Sequence, residues 1–498
     1  MVSAYEVDAE LMTTELQASA DTNEVFETSI ASSPQVETDK VGVTTRLAAQ
    51  IGQLAASEIP DEAYDRAAVA VLDTLGVILA GSVTKTAERQ RAAIVPYAGV
   101  GKASVFGTEL RLNVLDATFL NTTAGHVLDY DDSNPRLHGH PSLAILPASL
   151  ALAEETGSGI AEILKAYVIG FEVASRVGDA VGLFQYKYGW HPSATIGIFA
   201  TIASAGFLLR LDETALANAF GLGASFASGI KANFGSDGKS IGLGHATRSA
   251  VQAVLLARQG VTAAPEAFEH KHGYLNIFNQ GSGHYDLEAL LGDWHGPLAL
   301  LHNGLQQKRY PCCYSCLAPL DGVQAIAEQT GLQTQDIAAV DVRVHPIRHP
   351  HINRPNPRNG LEAKFSLQYC VARHLEAGFL SIDDFEDEAV TRPDTWDLMN
   401  RVHFGVHDLP EVATATVAIT TTSGDLHEVT IPAALGSTDD RSLTLALLRS
   451  KFLDCSTRAL DTSQAEALYQ ALVGLRGWND LSPLRLAGTV AKGADNER

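Results

Sequence analysis

Cysteine is scarce in this chain: five in 498 residues, three of them bunched at Cys312, Cys313 and Cys316. So few, so placed, exclude the disulfide framework of a secreted scaffold and point to a reducing compartment, the cytosol. Positive charge is also short, with 36 Lys and Arg against 58 Asp and Glu and a formal net charge of -22. Nucleic acid and anionic membranes need a basic surface, so neither is expected as a partner. An anionic small molecule would have to be drawn in by local positive charge. The uncharged run Ala194 to Leu209 approaches the length of a membrane span but is rich in Ala, Gly, Ser and Thr, which reads as a buried helix. No fixed period of the solenoid kind links the apolar segments, which argues against a repeat scaffold.

The first forty residues carry nine acidic side chains, from Glu6 to Asp39, against the single Lys40. They have no basic stretch leading into an apolar core, so an acidic disordered tail is expected rather than a targeting signal. Beyond it, a hydrophobic content of 46% suffices for a large interior. Ala67, Val71, Leu72, Leu75, Ile78 and Leu79 recur at helical spacing, and further helices are expected near Leu143 to Glu155, Ile160 to Val181, Thr195 to Leu209, Asp212 to Phe220 and Thr247 to Arg258. After Gly304 the pattern changes. Val340, Val342 and Val344 alternate with polar residues, a helix is read from Ser366 to Gly378, and Val417 to Thr421, Ser423-Gly424-Asp425 and Leu426 to Ile431 read as strand, turn, strand. Helical spacing returns at Arg441 to Phe452 and Ser463 to Arg476. The expected fold is mainly α: an acidic tail (1–40), a large helical domain built from both ends of the chain (41–305 and 438–498), and a smaller α/β lid inserted between them (306–437).

What the chain does have is a dense polar stretch between apolar segments. Gly125 to Ser142 reads GHVLDYDDSNPRLHGHPS, placing His126, Asp129, Asp131, Asp132, His138 and His140 close together, and a second His-Pro-Ser follows at His191. Imidazoles and perturbed carboxylates are the side chains that move protons near neutral pH. Proline directly after His140 and His191 suits the first turn of a helix and puts both rings at helix N-termini. Asp131 and Asp132 are candidate caps of the following helix; Asp129 and His140 are the candidate catalytic groups of the stretch, with His126 and His138 as supports. Gly235 to Ser240 reads as a glycine-rich turn carrying Lys239. Its order is not that of a phosphate loop, which leaves Lys239 as a cation for a ligand carboxylate. Lys308 and Arg309 open the inserted segment and offer the same service. Cys313 and Cys316 form a CxxC without a second pair, too few for a structural zinc site, and an iron-sulfur cluster on three cysteines is the rival reading.

Six ordered motifs resemble the MmgE/PrpD family: Leu72-Asp73-Thr74-Leu75-Gly76, Leu128-Asp129-Tyr130-Asp131-Asp132, Gly139-His140-Pro141-Ser142, Trp190-His191-Pro192-Ser193, Lys308-Arg309-Tyr310-Pro311 and Phe365-Ser366-Leu367-Gln368-Tyr369. The resemblance runs from about Ala48 to Leu486. It implies a helical domain with an α/β lid, a homodimer, no metal or organic cofactor, and a di- or tricarboxylate substrate. The pocket it implies falls on Asp129, His140, His191, Lys239, Lys308 and Tyr369, with Arg309 beside them. Where many relatives read Thr-Lys-Pro-Leu-His this chain has Gly238-Lys239-Ser240-Ile241-Gly242, so the lysine stays while proline and histidine are lost. The implied activity is dehydration of a 2-methylcitrate-like or longer alkylcitrate. Alternatives are cis-aconitate-type decarboxylation, iminodisuccinate-type epimerisation, and a non-catalytic binding protein on the same fold.

Overall fold

The computed structural model describes residues 41–302, 304–438 and 441–488, so the expected acidic tail lies outside the described residues. The fold is mainly helical with a smaller α/β part. Its first part contains α1 (Val43–Ala56), α2 (Asp61–Ser82), α3 (Lys85–Ile94), α4 (Val114–Val127), α5 (Pro141–Thr156), α6 (Ile160–Val181), α7 (Gly197–Leu208), α8 (Glu213–Phe226) and α9 (Asp237–Arg258). A short antiparallel pair, β1 (Val100–Ser104) and β2 (Arg111–Leu112), lies between α3 and α4. No single helix among the described residues is long and apolar enough to cross a membrane.

The helix α4 is central: it packs against α2, α5 and α9 and is buried from Ala117 through Val127. Burial on every side erases the amphipathic stripe, which is why its sequence has no helical periodicity. The helix α9 also begins ten residues earlier than the apolar spacing suggests. The stretch Gly238 to Gly244 is helix rather than turn; of its neighbours only Gly235, at φ 87°, has the left-handed backbone of a turn. Gly244 is there for packing, since a Cβ on it would come within 2.4 Å of the Thr123 hydroxyl on α4.

The second part contains α10 (Leu317–Thr330), β3 (Ile337–Val344), α11 (Gly360–Ala363), α12 (Leu367–Ala377), β4 (Val402–Val406), β5 (Ala415–Thr421) and β6 (Leu426–Ile431). The strands form one sheet in the order β4-β3-β5-β6, with β3 parallel to β4 and antiparallel to β5. Val340, Val342 and Val344 point into its core, and β5 and β6 are joined through Gly424 at φ 94°. The strand β4 has no clean alternation and is not legible as a strand. The chain then returns to the helices with α13 (Leu445–Ser456) and α14 (Thr462–Val473), both packed on α2. One hydrophobic cluster occupies the helical part and another the α/β part. A small third cluster joins them, with Val127, Leu128 and Tyr130 against Ile382 and Cys455.

Candidate active site

The site is assembled where α4 ends. Leu128 caps the helix, and Asp129 follows with φ 51°. Aspartate tolerates this left-handed conformation better than most residues, yet it still costs about 1 kcal/mol or more. The turn throws the Asp129 carboxylate back under the helix end instead of out to solvent. Ser133 and Gln306 then exchange backbone hydrogen bonds, both 2.8 Å, which fastens this segment to the one carrying Lys308.

Two ammonium groups close on Asp129. Lys239 Nζ lies 2.6 Å from Oδ1; Lys308 Nζ lies 3.0 Å from the same oxygen and donates to the Asp129 carbonyl at 2.7 Å. Burial alone would raise the carboxyl pKa, but Lys239, Lys308 and His140 together hold it well below the usual range. Lys308 is fully buried, and Lys239 sits in the first turn of α9 over the faces of Phe234 and Phe365.

The imidazoles stack beside these charges. His140 and His191 are the N-caps of their segments, each followed by proline at the first helical position. The two His-Pro-Ser segments touch: the His140 N–H donates to Ser193 Oγ at 3.0 Å. Gly139 permits this, because a Cβ there would stand 2.6 Å from that oxygen. His140 Nε2 faces Asp129 Oδ1 at 3.6 Å, while Nδ1 faces the Asp132 carbonyl at 2.9 Å and Asp131 Oδ2 at 3.1 Å. His126 lies between the other two rings, 4.7 Å edge-on to His140 and 5.6 Å stacked on His191. Its Nδ1 is 2.9 Å from Asp131 Oδ2. Burial pushes the His126 pKa down to about 4. Burial, His126, Lys239 and His140 push His191 well below its usual value. Both rings are therefore neutral at pH 7, and among the described residues the Nε2 atoms of both are buried without a partner, as are Asp129 Oδ2 and Asp131 Oδ1. Such unused bonding capacity in a buried cluster calls for a ligand.

Asp131 and Asp132 part company. Asp131 joins the site by bridging His126 and His140, and those rings hold it well below the carboxylate range against the opposing effect of burial. Asp132 is the cap: it accepts from the Ser142 backbone N–H at 3.2 Å and from the Ser142 hydroxyl. Burial pushes its pKa up to about 8, so it is uncharged at neutral pH. The Leu72 to Gly76 motif supports the site from behind. Asp73 pairs with Lys451 of α13 at 2.7 Å, and Lys451 Nζ donates to the Tyr130 carbonyl at 2.9 Å.

Two expected members are not brought to this cluster. The Tyr369 hydroxyl donates to the Asp384 carbonyl, and its ring packs on Phe385 in the α/β core. The motif that suggested it owes its pattern to a helix cap, with Ser366 accepting from the Tyr369 N–H. Arg309 turns to Asp321, 3.6 Å away, and over the rings of Tyr310 and Phe379, while its carbonyl accepts from the Tyr130 hydroxyl. His138 stands apart as well; the cluster contacts are made by His126, His140 and His191. Sequence reasoning undervalued His126 and missed Lys364, whose ammonium is buried beside the same cavity.

The cavity among His126, Asp129, Lys239 and Lys364 measures about 10 Å³, room for about one water. Among the described residues two side-chain groups have ligand atoms close enough to hold a cation. One is His126, Asp131 and His140, where the adjacent lysine ammoniums oppose a positive ion; the other is Cys312, Cys316 and Cys370. The grouping is not the CxxC pair: Cys313 caps a short turn and stays half-buried, and Cys370 of α12 stands with Cys312 and Cys316.

This geometry meets its relatives in sequence. The family model of the MmgE/PrpD N-terminal domain matches residues 45–285, and that of the MmgE/PrpD C-terminal domain matches residues 310–474. A cis-aconitate decarboxylase-like protein, oryM, of Aspergillus oryzae is 25% identical over 90% of this chain and 97% of its own length. The cis-aconitate decarboxylase of Homo sapiens is 26% identical over 72% of this chain and 76% of its own. A mitochondrial 2-methylcitrate dehydratase of Yarrowia lipolytica is 24% identical over 66% of each. With both halves matched in order, the chain belongs to the MmgE/PrpD family.

Proposed function

We propose that the protein is a lyase that removes water from a 2-methylcitrate-like or longer alkylcitrate by acid and base catalysis. The observation that carries this reading is the pairing of unlike imidazoles: His191, neutral with Nε2 unpartnered, and His140, with acceptors facing both ring nitrogens. Elimination of water needs one group of each kind. His191 takes the carbon-bound proton, the C–H electron pair becomes the new C=C bond, the C–O bond breaks, and the hydroxyl leaves as water with a proton from His140. Both rings are restored by proton exchange with solvent.

Burial keeps His191 a weak base in the empty site, but the carboxylates of an arriving substrate raise its proton affinity at the moment a base is needed. Asp129 serves as the anchor that holds Lys239 and Lys308 in place; a carboxylate so firmly ionised is a poor base. A cavity of about 10 Å³ cannot hold a tricarboxylate. Substrate entry therefore needs the covering segment around Leu361 to Phe365 to move away from Ser236 and Lys239.

The relatives named cis-aconitate decarboxylase favour a second reading. There the bond to a carboxylate breaks, its electron pair stays on carbon, and that carbon is protonated by His140. Incubating the full-length protein with methylcitrate, longer alkylcitrates, citrate and cis-aconitate separates the two. Alkene absorbance from a citrate supports dehydration. Carbon dioxide from cis-aconitate alone supports decarboxylation.

A further inference from the structure

Lys364 is a buried charge that the proposed reaction leaves without work. It caps α11, and its backbone carbonyl accepts from the Cys313 N–H at 2.9 Å. Its ammonium donates to the Pro311 carbonyl at 2.8 Å and lies 4.4 Å from the centre of the Phe385 ring. Those contacts tie the segment after Lys308 to α11, and a neutral donor could do that much. A lysine that is 3% exposed pays a desolvation cost a neutral donor would not. Among the described residues no carboxylate forms an ion pair with it, and an ammonium has three protons to donate.

The charges around the cavity point the same way. Lys239 and Lys364 line the cavity with one ionised carboxylate, Asp129, which Lys308 also holds from behind; Asp131 is taken up by His126 and His140, and Asp132, His126 and His191 are neutral at pH 7. The pocket is an island of excess positive charge in a chain of net charge -22. Burial, helped by the like charge of Lys308, pushes the Lys364 pKa down to about 8 against the opposing effect of Asp129 and Cys312.

We infer that Lys364 binds a third carboxylate of the ligand, next to those held by Lys239 and Lys308, and so selects tricarboxylates over dicarboxylates. This rests on the proposal that the site takes a citrate- or aconitate-type acid. Lys364 is a binding residue in this account and moves no proton.

The test uses two acids with the same five-carbon backbone that cannot lose water: tricarballylate, and glutarate, which lacks the central carboxylate. Their affinities for the full-length protein are measured by calorimetry, with melting temperature as a second reading. The wild type should prefer tricarballylate by tenfold or more. Lys364→Met should lose that preference while binding glutarate as the wild type does. Equal wild-type affinity for the two acids overturns the inference without any variant. So does a Lys364→Met protein that keeps the preference, or one that weakens both acids equally, as a purely structural strut would. If the wild type binds tricarballylate tightly but shows no preference, the carboxylate site stands and only the role of Lys364 falls. If it binds neither acid, the proposed function falls and this inference with it.

Discussion

The two regions that meet at the cavity solve different problems. The helical region supplies the imidazoles and carboxylates of the cluster, His126, Asp129, Asp131, His140 and His191, and fixes them by local backbone geometry: a helix end, a left-handed residue, two proline-led caps. The α/β region supplies Lys308 and Lys364 from linking segments, positioned by long-range contacts such as the Ser133 and Gln306 bridge and the Pro311 carbonyl. The difference teaches that the imidazoles and carboxylates are set by local turns of one region, while the buried ammoniums reach them from both: Lys239 from α9, Lys308 and Lys364 from the segments of the α/β part.

If that division is right, the largest effect should come from the imidazoles. His191→Ala and His140→Ala should each lower turnover by about 10² to 10⁴ while the thermal melt stays near wild type; steady-state rates and circular dichroism on the same samples check both halves. Wild-type turnover in either variant would break the assignment.

Next comes Lys308→Ala, which strips a cation from the buried Asp129. Breaking a buried pair by removing one partner costs about 3–5 kcal/mol, so urea unfolding should show a large loss of stability as well as of ligand binding. An unchanged unfolding midpoint would show that Lys308 is not the tie between the two regions.

Asp132 sharpens the comparison through pH. Its folded pKa of about 8 lies above that of an unfolded aspartate, about 3.9. The contribution of this group is therefore fully present below pH 4 and is lost as pH rises through 8. Asp132→Asn should remove that part of the pH dependence of stability while keeping turnover at neutral pH. A variant whose stability falls between pH 4 and 8 as steeply as the wild type's would contradict the buried, neutral carboxyl. The smallest effect is expected of Tyr369→Phe: about 1 kcal/mol of stability for the hydrogen bond to the Asp384 carbonyl, with turnover kept within a factor of about three. A large fall in turnover would return Tyr369 to the site.

The same division governs what the sequence discloses. The His-Pro-Ser caps, the Asp132 cap and the β5–β6 hairpin are local patterns, and the chain displays them openly. The helix α4 is hidden because burial on all sides removes its stripe, and the start of α9 is hidden because it follows directly on the true turn at Gly235 and its first turn continues the same glycine-rich pattern. In the site, Asp129, His140, His191, Lys239 and Lys308 are legible as polar residues in apolar surroundings. Tyr369 and Arg309 mislead because a side chain's direction is set by the tertiary fold, and Tyr369 turns inward along α12. Lys364 stands one residue outside the motif that drew attention to Phe365, and only the cavity marks it. The pairing of Cys370 with Cys312 and Cys316 joins α12 to the segment before α10, a contact no spacing rule encodes.

The most direct measurement is the fate of the substrate hydroxyl. An alkylcitrate carrying a heavy-oxygen label in that group is incubated with the full-length protein, and products and solvent water are followed by mass spectrometry. The account predicts that the label passes to water in step with formation of an unlabelled alkene, in the wild type and not in His191→Ala. Full retention of the label, with the alkylcitrate recovered intact or changed only at carbon, would contradict it.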